Sequence, residues 1–194
     1  MNVLFRGGTV VTAEGMFVAD VLVRGETIAA IGHSLPSEDA QTVDVSGKYL
    51  LPGAIDAHTH LECECSGIDT SDDYFTGTRA AACGGTTTVI DYLLQAKGEL
   101  LPDTLAKRVT MATPKAAVDF AFHIGVSDLS TPALLASVAD AVRAGVSSFK
   151  AYMVYDFGLD DGALYRLLKA TAQIGALVTV HAENRGLLES RVQD

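Results

Sequence analysis

Several side chains in this sequence have the types and spacing to do chemistry together. The first are a pair. The stretch Ala54-Ile55-Asp56-Ala57-His58-Thr59-His60-Leu61-Glu62 reads as an apolar strand ending in two histidines one residue apart. Side chains alternate across a strand, so His58 and His60 point the same way. Two imidazoles on one face can grip one metal ion, and imidazole is the commonest protein metal ligand. Two satisfied surface or core histidines fit the same spacing, so the pair alone leaves both readings open.

Lys150 is the second candidate. It stands within Ser148-Phe149-Lys150-Ala151-Tyr152, an otherwise apolar run where a charged ammonium is costly to bury. It either snorkels outward or pairs with a carboxylate such as Asp91, or its neutral amine reacts with carbon dioxide. The resulting carbamate is an anion with two oxygens, able to bridge two metal ions. Burial favours that reaction because it lowers a lysine's pKa. His181, in His181-Ala182-Glu183-Asn184, would alone read as a packed core histidine. Its place at the end of a strand, in a chain that carries the histidine pair, favours a ligand. His123 is read as a core residue and His33 as a surface loop residue. Glu62 either orients a ligand imidazole or is a solvated loop acid.

Of the three cysteines, Cys63 and Cys65 follow the histidine pair closely and could take a soft metal. No second Cys/His pair stands at finger-like spacing, so free thiols in a loop are the better reading. Cys83 reads as a small buried helix residue. An odd count with no secretion signal argues against a disulfide framework.

The elements that must position these residues come in two kinds. Residues 1–52 read as a small antiparallel sheet of short β-branched runs, with turns at Gly7-Gly8 and Gly25-Glu26. Pro52-Gly53 closes it. Residues 53–194 alternate strand and helix: strands at 54–58, 86–92, 118–124, 146–153 and 177–181, and helices at 72–83, 102–115, 132–144 and 160–174, with a last helix from about Asn184. Ser71 or Asp72 is the expected cap of the first helix, and Gly84-Gly85 its stop. The third helix presents Leu134, Leu135, Val138, Ala141 and Val142 on one face, and the fourth presents Leu164, Leu167, Leu168 and Thr171. Five strands each followed by a helix imply an α/β fold with a parallel sheet, either a barrel or an open doubly wound sheet. No Gly-x-Gly-x-x-Gly follows the first strand, which disfavours a dinucleotide fold. In a βα barrel the active residues sit at the carboxyl ends of the strands. Those positions hold His58 and His60, Asp91, His123, Lys150 and His181.

Composition narrows the classes further. With 194 residues, 48% hydrophobic and 20% charged, the chain can bury a packed core. A formal net charge of −10 repels phosphate backbones, so nucleic acid is not an expected partner. No apolar run is long enough to span a bilayer, so no membrane role is expected. The start, Met1-Asn2-Val3-Leu4-Phe5-Arg6, lacks the form of a signal peptide, and the protein is read as cytoplasmic.

Four stretches in order resemble the cyclic amidohydrolases, and most closely the hydantoinase/dihydropyrimidinase family. They are 51–62, which contains the histidine pair; Ser71 to Thr88; Ser147-Ser148-Phe149-Lys150-Ala151-Tyr152-Met153-Val154-Tyr155; and His181-Ala182-Glu183-Asn184. The resemblance implies a (β/α)8 TIM-type barrel, of which about five βα units are present, beside an N-terminal β-sandwich segment. It implies two divalent metal ions, usually zinc. His58 and His60 would hold the more buried ion, carboxylated Lys150 would bridge the two, and His181 would hold the second. Tyr155 would be the catalytic hydrogen-bond donor to the substrate carbonyl oxygen as it becomes an oxyanion. The implied reaction is attack by a metal-activated hydroxide on the cyclic amide of a hydantoin or dihydropyrimidine, giving an N-carbamoyl amino acid. The implied partners are a small cyclic amide and further copies of the chain, as a dimer or tetramer.

Two departures stand out. The segment Cys63-Glu64-Cys65-Ser66-Gly67 replaces an apolar stretch that borders substrate in relatives, which puts the ring-substituent preference in doubt. By strand count the sequence also ends after the fifth of eight barrel strands. It is therefore expected to be the N-terminal part of a longer polypeptide, without the family's sixth-strand metal histidine and eighth-strand aspartate. Allantoinase and dihydroorotase are the rivals within the enzyme class. A non-catalytic relative, or an inactive fragment, is the alternative outside it.

Overall fold

The computed structural model describes residues 1–65 and 68–192. The chain divides into two compact units, Met1–Gly53 and Ala54–Asp194.

The first unit is a five-stranded sheet of β1 (Asn2–Thr12), β2 (Gly15–Arg24), β3 (Thr27–Gly32), β4 (Gln41–Asp44) and β5 (Tyr49–Leu50). The order is β3-β2-β1-β4, and β5 also pairs with β1. The sheet is mixed rather than antiparallel. β1–β2 and β2–β3 are antiparallel, while β4 and β5 run parallel to β1. Gly7-Gly8 is not a turn. It is an irregularity inside one long strand, where the register slips between Phe5 and Gly8. Gly7 takes φ +74°, which a side chain would disfavour, and its amide donates to the buried Asp20 carboxylate at 2.9 Å. The same carboxylate accepts from the Leu35 amide at 3.1 Å, so one acid pins a bulge and a loop.

The second unit carries β6 (Ala54–Thr59), a small ribbon of β7 (Glu64–Cys65) with β8 (Ile68–Asp69), and then α1 (Tyr74–Cys83), β9 (Thr86–Leu94), α2 (Leu101–Ala112), β10 (Asp119–Val126), α3 (Pro132–Arg143), β11 (Ser148–Tyr152), α4 (Asp161–Gln173), β12 (Leu177–His181) and α5 (Arg185–Val192). The large sheet is parallel in the order β12-β11-β10-β9-β6. These are five βα units, the first part of a barrel sheet wrapped by helices.

Local chemistry sets the boundaries. Asp73, not Ser71 or Asp72, caps α1: its carboxylate accepts the Thr76 amide while the Thr76 side chain returns to the Asp73 amide. Thr131 and Asp160 cap α3 and α4 through the amides of Leu134 and Ala163. The core lies between sheet and helices. Val89, Leu93, Phe122, Ile124, Val126, Phe149 and Ala151 from the strands meet Tyr74, Leu101, Val138, Ala141, Ala163 and Leu167 from the helices. The α4 stripe is shifted from the expected one: Ala163, Leu167 and Thr171 are buried, whereas Leu168 is exposed. Cys83 is exposed at the end of α1 rather than buried. Among the described residues, no helix is long and apolar enough to cross a membrane.

Candidate functional site

Alternation along the parallel strands sends one set of side chains toward the helices and the other set to the opposite face. On that second face, His58, His60, Lys150, His181 and Tyr155 line one cavity of about 450 Å³ together with Tyr92. A slightly larger hollow, about 500 Å³, lies beside Glu62, Asp69, Asp72 and Asp73, and no imidazole lines it. The nitrogen donors single out the first.

The histidine pair sits as the strand pattern requires. The rings of His58 and His60 lie 5.2 Å apart, edge to face, and Tyr92 from β9 packs 4.6 Å from the first and 5.4 Å from the second. Tyr92 was not among the residues expected from the sequence. The signal was there: β9 continues through Leu94, so Asp91 is not at its end, and the residue next to Asp91 takes the other face. Asp91 itself faces α1. It is fully buried and accepts the Tyr74 hydroxyl at 2.5 Å, the Leu61 amide at 3.2 Å and the Tyr92 amide at 2.9 Å. Burial pushes its carboxyl up from the usual range, against the opposing pull of these donors and of Arg108. Burial and the Asp91 carboxylate likewise push the Tyr74 hydroxyl up.

Lys150 is half-buried, opposite Gly125 on β10 and Thr179 on β12. Its ammonium lies 5.5 Å from the Tyr152 ring centre, while Asp91 is engaged by the Tyr74 hydroxyl and the Leu61 and Tyr92 amides. Gly125 keeps this part of the wall thin: a Cβ there would sit 3.1 Å from Leu94 Cδ1 and 3.2 Å from the Leu93 carbonyl. His181 is bound through Nε2 to the Glu183 carboxylate at 2.9 Å. Its ring lies 5.5 Å from that of Tyr155.

Tyr155 has φ +74°, a left-handed conformation that a bulky side chain rarely adopts. Its carbonyl accepts from the Gly158 amide at 3.1 Å and from Arg185 at 3.2 Å. Gly158 is required for this turn, because a Cβ would fall 2.5 Å from the Val154 carbonyl oxygen.

His123 is half-buried on the face of Tyr92 rather than part of the core, because both of its ring nitrogens are used in hydrogen bonds. Its Nε2 meets the Ala57 carbonyl at 3.1 Å and its Nδ1 meets the Ser148 hydroxyl. A carbonyl only accepts, so Nε2 carries the hydrogen; in the neutral ring Nδ1 then accepts from Ser148. Burial holds the His123 pKa below its usual value, helped by His58 and Lys150 and opposed by the hydrogen bond to Ala57. The ring thus links the residue before His58 to the strand of Lys150. Glu62 is neither a solvated acid nor a partner of an imidazole. Its carboxylate binds Lys115 and the Tyr74 amide. Cys63 lies in the cavity wall, while the side chain of Cys65 and residues Ser66 and Gly67 lie outside the described residues.

The imidazoles and the lysine fit a borderline ion such as zinc in kind. Among the described residues, no three His, Cys, Asp or Glu side chains come together closely enough to hold an ion. A metal here would need Lys150 in its anionic carbamate form or further ligands.

Comparison with known proteins gives this cavity its context. Residues 49–193 match the model of the amidohydrolase family. The chain is 42% identical over 191 residues to the D-hydantoinase of Geobacillus stearothermophilus, covering 97% of this chain and 41% of the relative. It is 40% identical over 186 residues to the D-hydantoinase of Rhizobium radiobacter, covering 95% and 40%. The crystal structure of the dihydropyrimidinase from Brevibacillus agri superposes with a TM-score of 0.94 at 43% identity, over 100% of this chain and 42% of that one. The chain thus spans about two-fifths of the length of these relatives. The match through the histidine pair, the lysine strand and the fifth strand means that this chain belongs to the amidohydrolase family, with hydantoinases and dihydropyrimidinases among its relatives.

Proposed function

We propose that this chain carries the first part of the active site of a metal-dependent cyclic amidohydrolase, one that opens a hydantoin or dihydropyrimidine ring to an N-carbamoyl amino acid. The supporting observation is that His58, His60, Lys150, His181 and Tyr155, from three strands and the segments after two of them, all line one cavity. In this reading His58 and His60 would hold one divalent ion, zinc by the character of the donors, and His181 would hold a second. Lys150, carboxylated by carbon dioxide, would add anionic oxygen donors to the same site. The ions would lower the pKa of water and polarise the ring amide carbonyl. The remaining work belongs to the chain's own residues. The Tyr155 hydroxyl donates to the carbonyl oxygen as negative charge develops there. The left-handed turn at Tyr155 sets the direction in which its side chain leaves the backbone, so less ordering is left for the reaction step. Glu183, bonded to His181 Nε2, leaves Nδ1 as the nitrogen free to ligate.

Native mass spectrometry of the protein purified without chelators, then resupplied with zinc and bicarbonate, tests the reading. The expected result is bound metal together with the mass of one carbon dioxide, both diminished in Lys150→Ala. A chain that takes up neither overturns it. Ring opening by the protein isolated from its source, measured on hydantoin, dihydrouracil, allantoin and dihydroorotate, then selects the substrate. Preference for allantoin or dihydroorotate would assign it to one of the neighbouring activities.

A further inference from the structure

Asp91 is a fully buried acid that the proposed chemistry does not use. It lies behind the histidine pair, on the helix face of the sheet, and its partners converge on the two residues after His60. Oδ1 accepts the Leu61 amide at 3.2 Å, and Oδ2 accepts the Tyr74 hydroxyl from α1 at 2.5 Å. Leu61 is itself buried, seated against α1 where Gly77 leaves room: a Cβ at Gly77 would lie 2.5 Å from Leu61 Cδ2. Glu62 then turns with φ +47°, unfavourable for a residue with a side chain. Four contacts hold it there. Its amide donates to the Asp72 carbonyl at 2.9 Å, its carbonyl accepts from Arg108 at 2.8 Å, and its carboxylate meets Lys115 and the Tyr74 amide. A buried carboxylate costs free energy unless its hydrogen bonds are complete, and a left-handed turn costs more. Both costs fall on the peptide that carries the exposed His60 ring into the cavity.

We propose that Asp91, backed by Tyr74, is a positioning residue that fixes the chain after His60 and so aims the His60 imidazole into the cavity beside His58. The inference deepens the metal reading above and rests on it for its purpose, but the aim of the ring is measurable without metal. Two readouts on the chain test it. The first is ring NMR of His60 in metal-free protein; the second is titration with cobalt(II). Asp91→Asn keeps the shape and removes the charge, Tyr74→Phe removes only the hydroxyl, and Val138→Ala in α3 lowers stability without touching these contacts. In wild type, His60 is expected to give one sharp set of ring signals. In Asp91→Asn and Tyr74→Phe, those signals broaden or double while the His181 signals stay put, and cobalt binds roughly 10- to 100-fold more weakly. Val138→Ala leaves both readouts unchanged. Unaltered His60 signals in a folded Asp91→Asn chain overturn the proposal, as does an equal response in Val138→Ala. If wild type binds no cobalt the metal reading falls, and the His60 signals alone still decide whether Asp91 aims the ring.

Discussion

Phe149 and Lys150 are neighbours on β11 that meet opposite surroundings. Phe149 turns toward the helices and is fully buried in the apolar core, whereas Lys150 turns into the cavity and is half-buried among aromatic rings. The same division runs across the sheet. Val89, Leu93, Phe122 and Ile124 fill the helix face, while His58, Tyr92, Lys150 and His181 line the cavity. One face therefore supplies the stability that holds the chemical groups of the other in place. The comparison also identifies the exceptions: Asp91 is an acid on the apolar face, and His123 is a ring used for bracing on the polar one.

Substituting across this divide gives the largest contrast. Phe149→Ala is expected to cost about 3–5 kcal/mol, since it removes a full aromatic ring from a site with little room to collapse. Lys150→Ala, one residue away, is expected to change stability by less than about 0.5 kcal/mol, as for an ordinary non-core site. Urea unfolding of both variants measures it. A large loss in Lys150→Ala would mean that the lysine stem is part of the core, and the two-face division would fail. Asp91→Ala comes next. It strands the Tyr74 hydroxyl and the Leu61 amide in the interior, each at about 1–3 kcal/mol, so a loss of about 2–6 kcal/mol is expected. Glu183, an exposed acid paired with His181, gives the opposite case: such pairs contribute about 0–1 kcal/mol.

A smaller effect separates bracing from ligation on the cavity face. His123 has a folded pKa below its ordinary value of about 6.5. The unfolded chain then binds more protons through the window beneath 6.5, so this residue's contribution to stability is complete above that pH. It is lost as pH falls toward the lower folded value. Asp91 acts in the opposite sense, because its pKa is raised. The informative measurement is therefore the difference between wild type and His123→Gln across pH 4 to 8. Wild type should lose stability on acidification more steeply than His123→Gln. Parallel curves would show that the ring tolerates protonation, and that the link between Ala57 and Ser148 does not need the neutral form.

The order of strands and helices was legible in the sequence because the parallel sheet writes itself as β-branched runs separated by capped, apolar-faced helices. The strand of Leu177 to His181 has the same bounds in both. The grouping of His58, His60, Lys150 and His181 followed from strand ends, which is topological information. Pairing was less legible. β4 and β5 run parallel to β1, and nothing in their short runs sets a direction. Gly7-Gly8 looked like a turn because a bulge uses the same residue for the same positive φ. Asp91 was expected at a strand end, but the strand runs two residues further; Asp91 then lies within it facing α1, and Tyr92, one residue on, takes the cavity face. Arg108 and Lys115, which hold the Glu62 turn from α2 and the segment after it, left no sequence signal at all. Their contacts span 46 and 53 residues.

The smallest expected effect lies between the two histidines themselves. Thr59 alternates with His58 and His60 and so turns away from the cavity. Its Oγ1 is buried and, among the described residues, has no hydrogen-bond partner. A buried hydroxyl without a partner costs free energy that an apolar group of the same shape does not. Thr59→Val should therefore hold stability level or raise it by up to about 1 kcal/mol. The His58 and His60 ring signals should not change, since valine keeps the β-branched shape that suits a strand. This outcome would extend the division of faces into the strand of the histidine pair, with apolar character preferred one residue away from each imidazole. A loss of stability in urea unfolding would instead show that the Thr59 hydroxyl is bonded in solution. The helix face behind the histidine pair would then be polar at two adjacent points, Thr59 and its register partner Asp91.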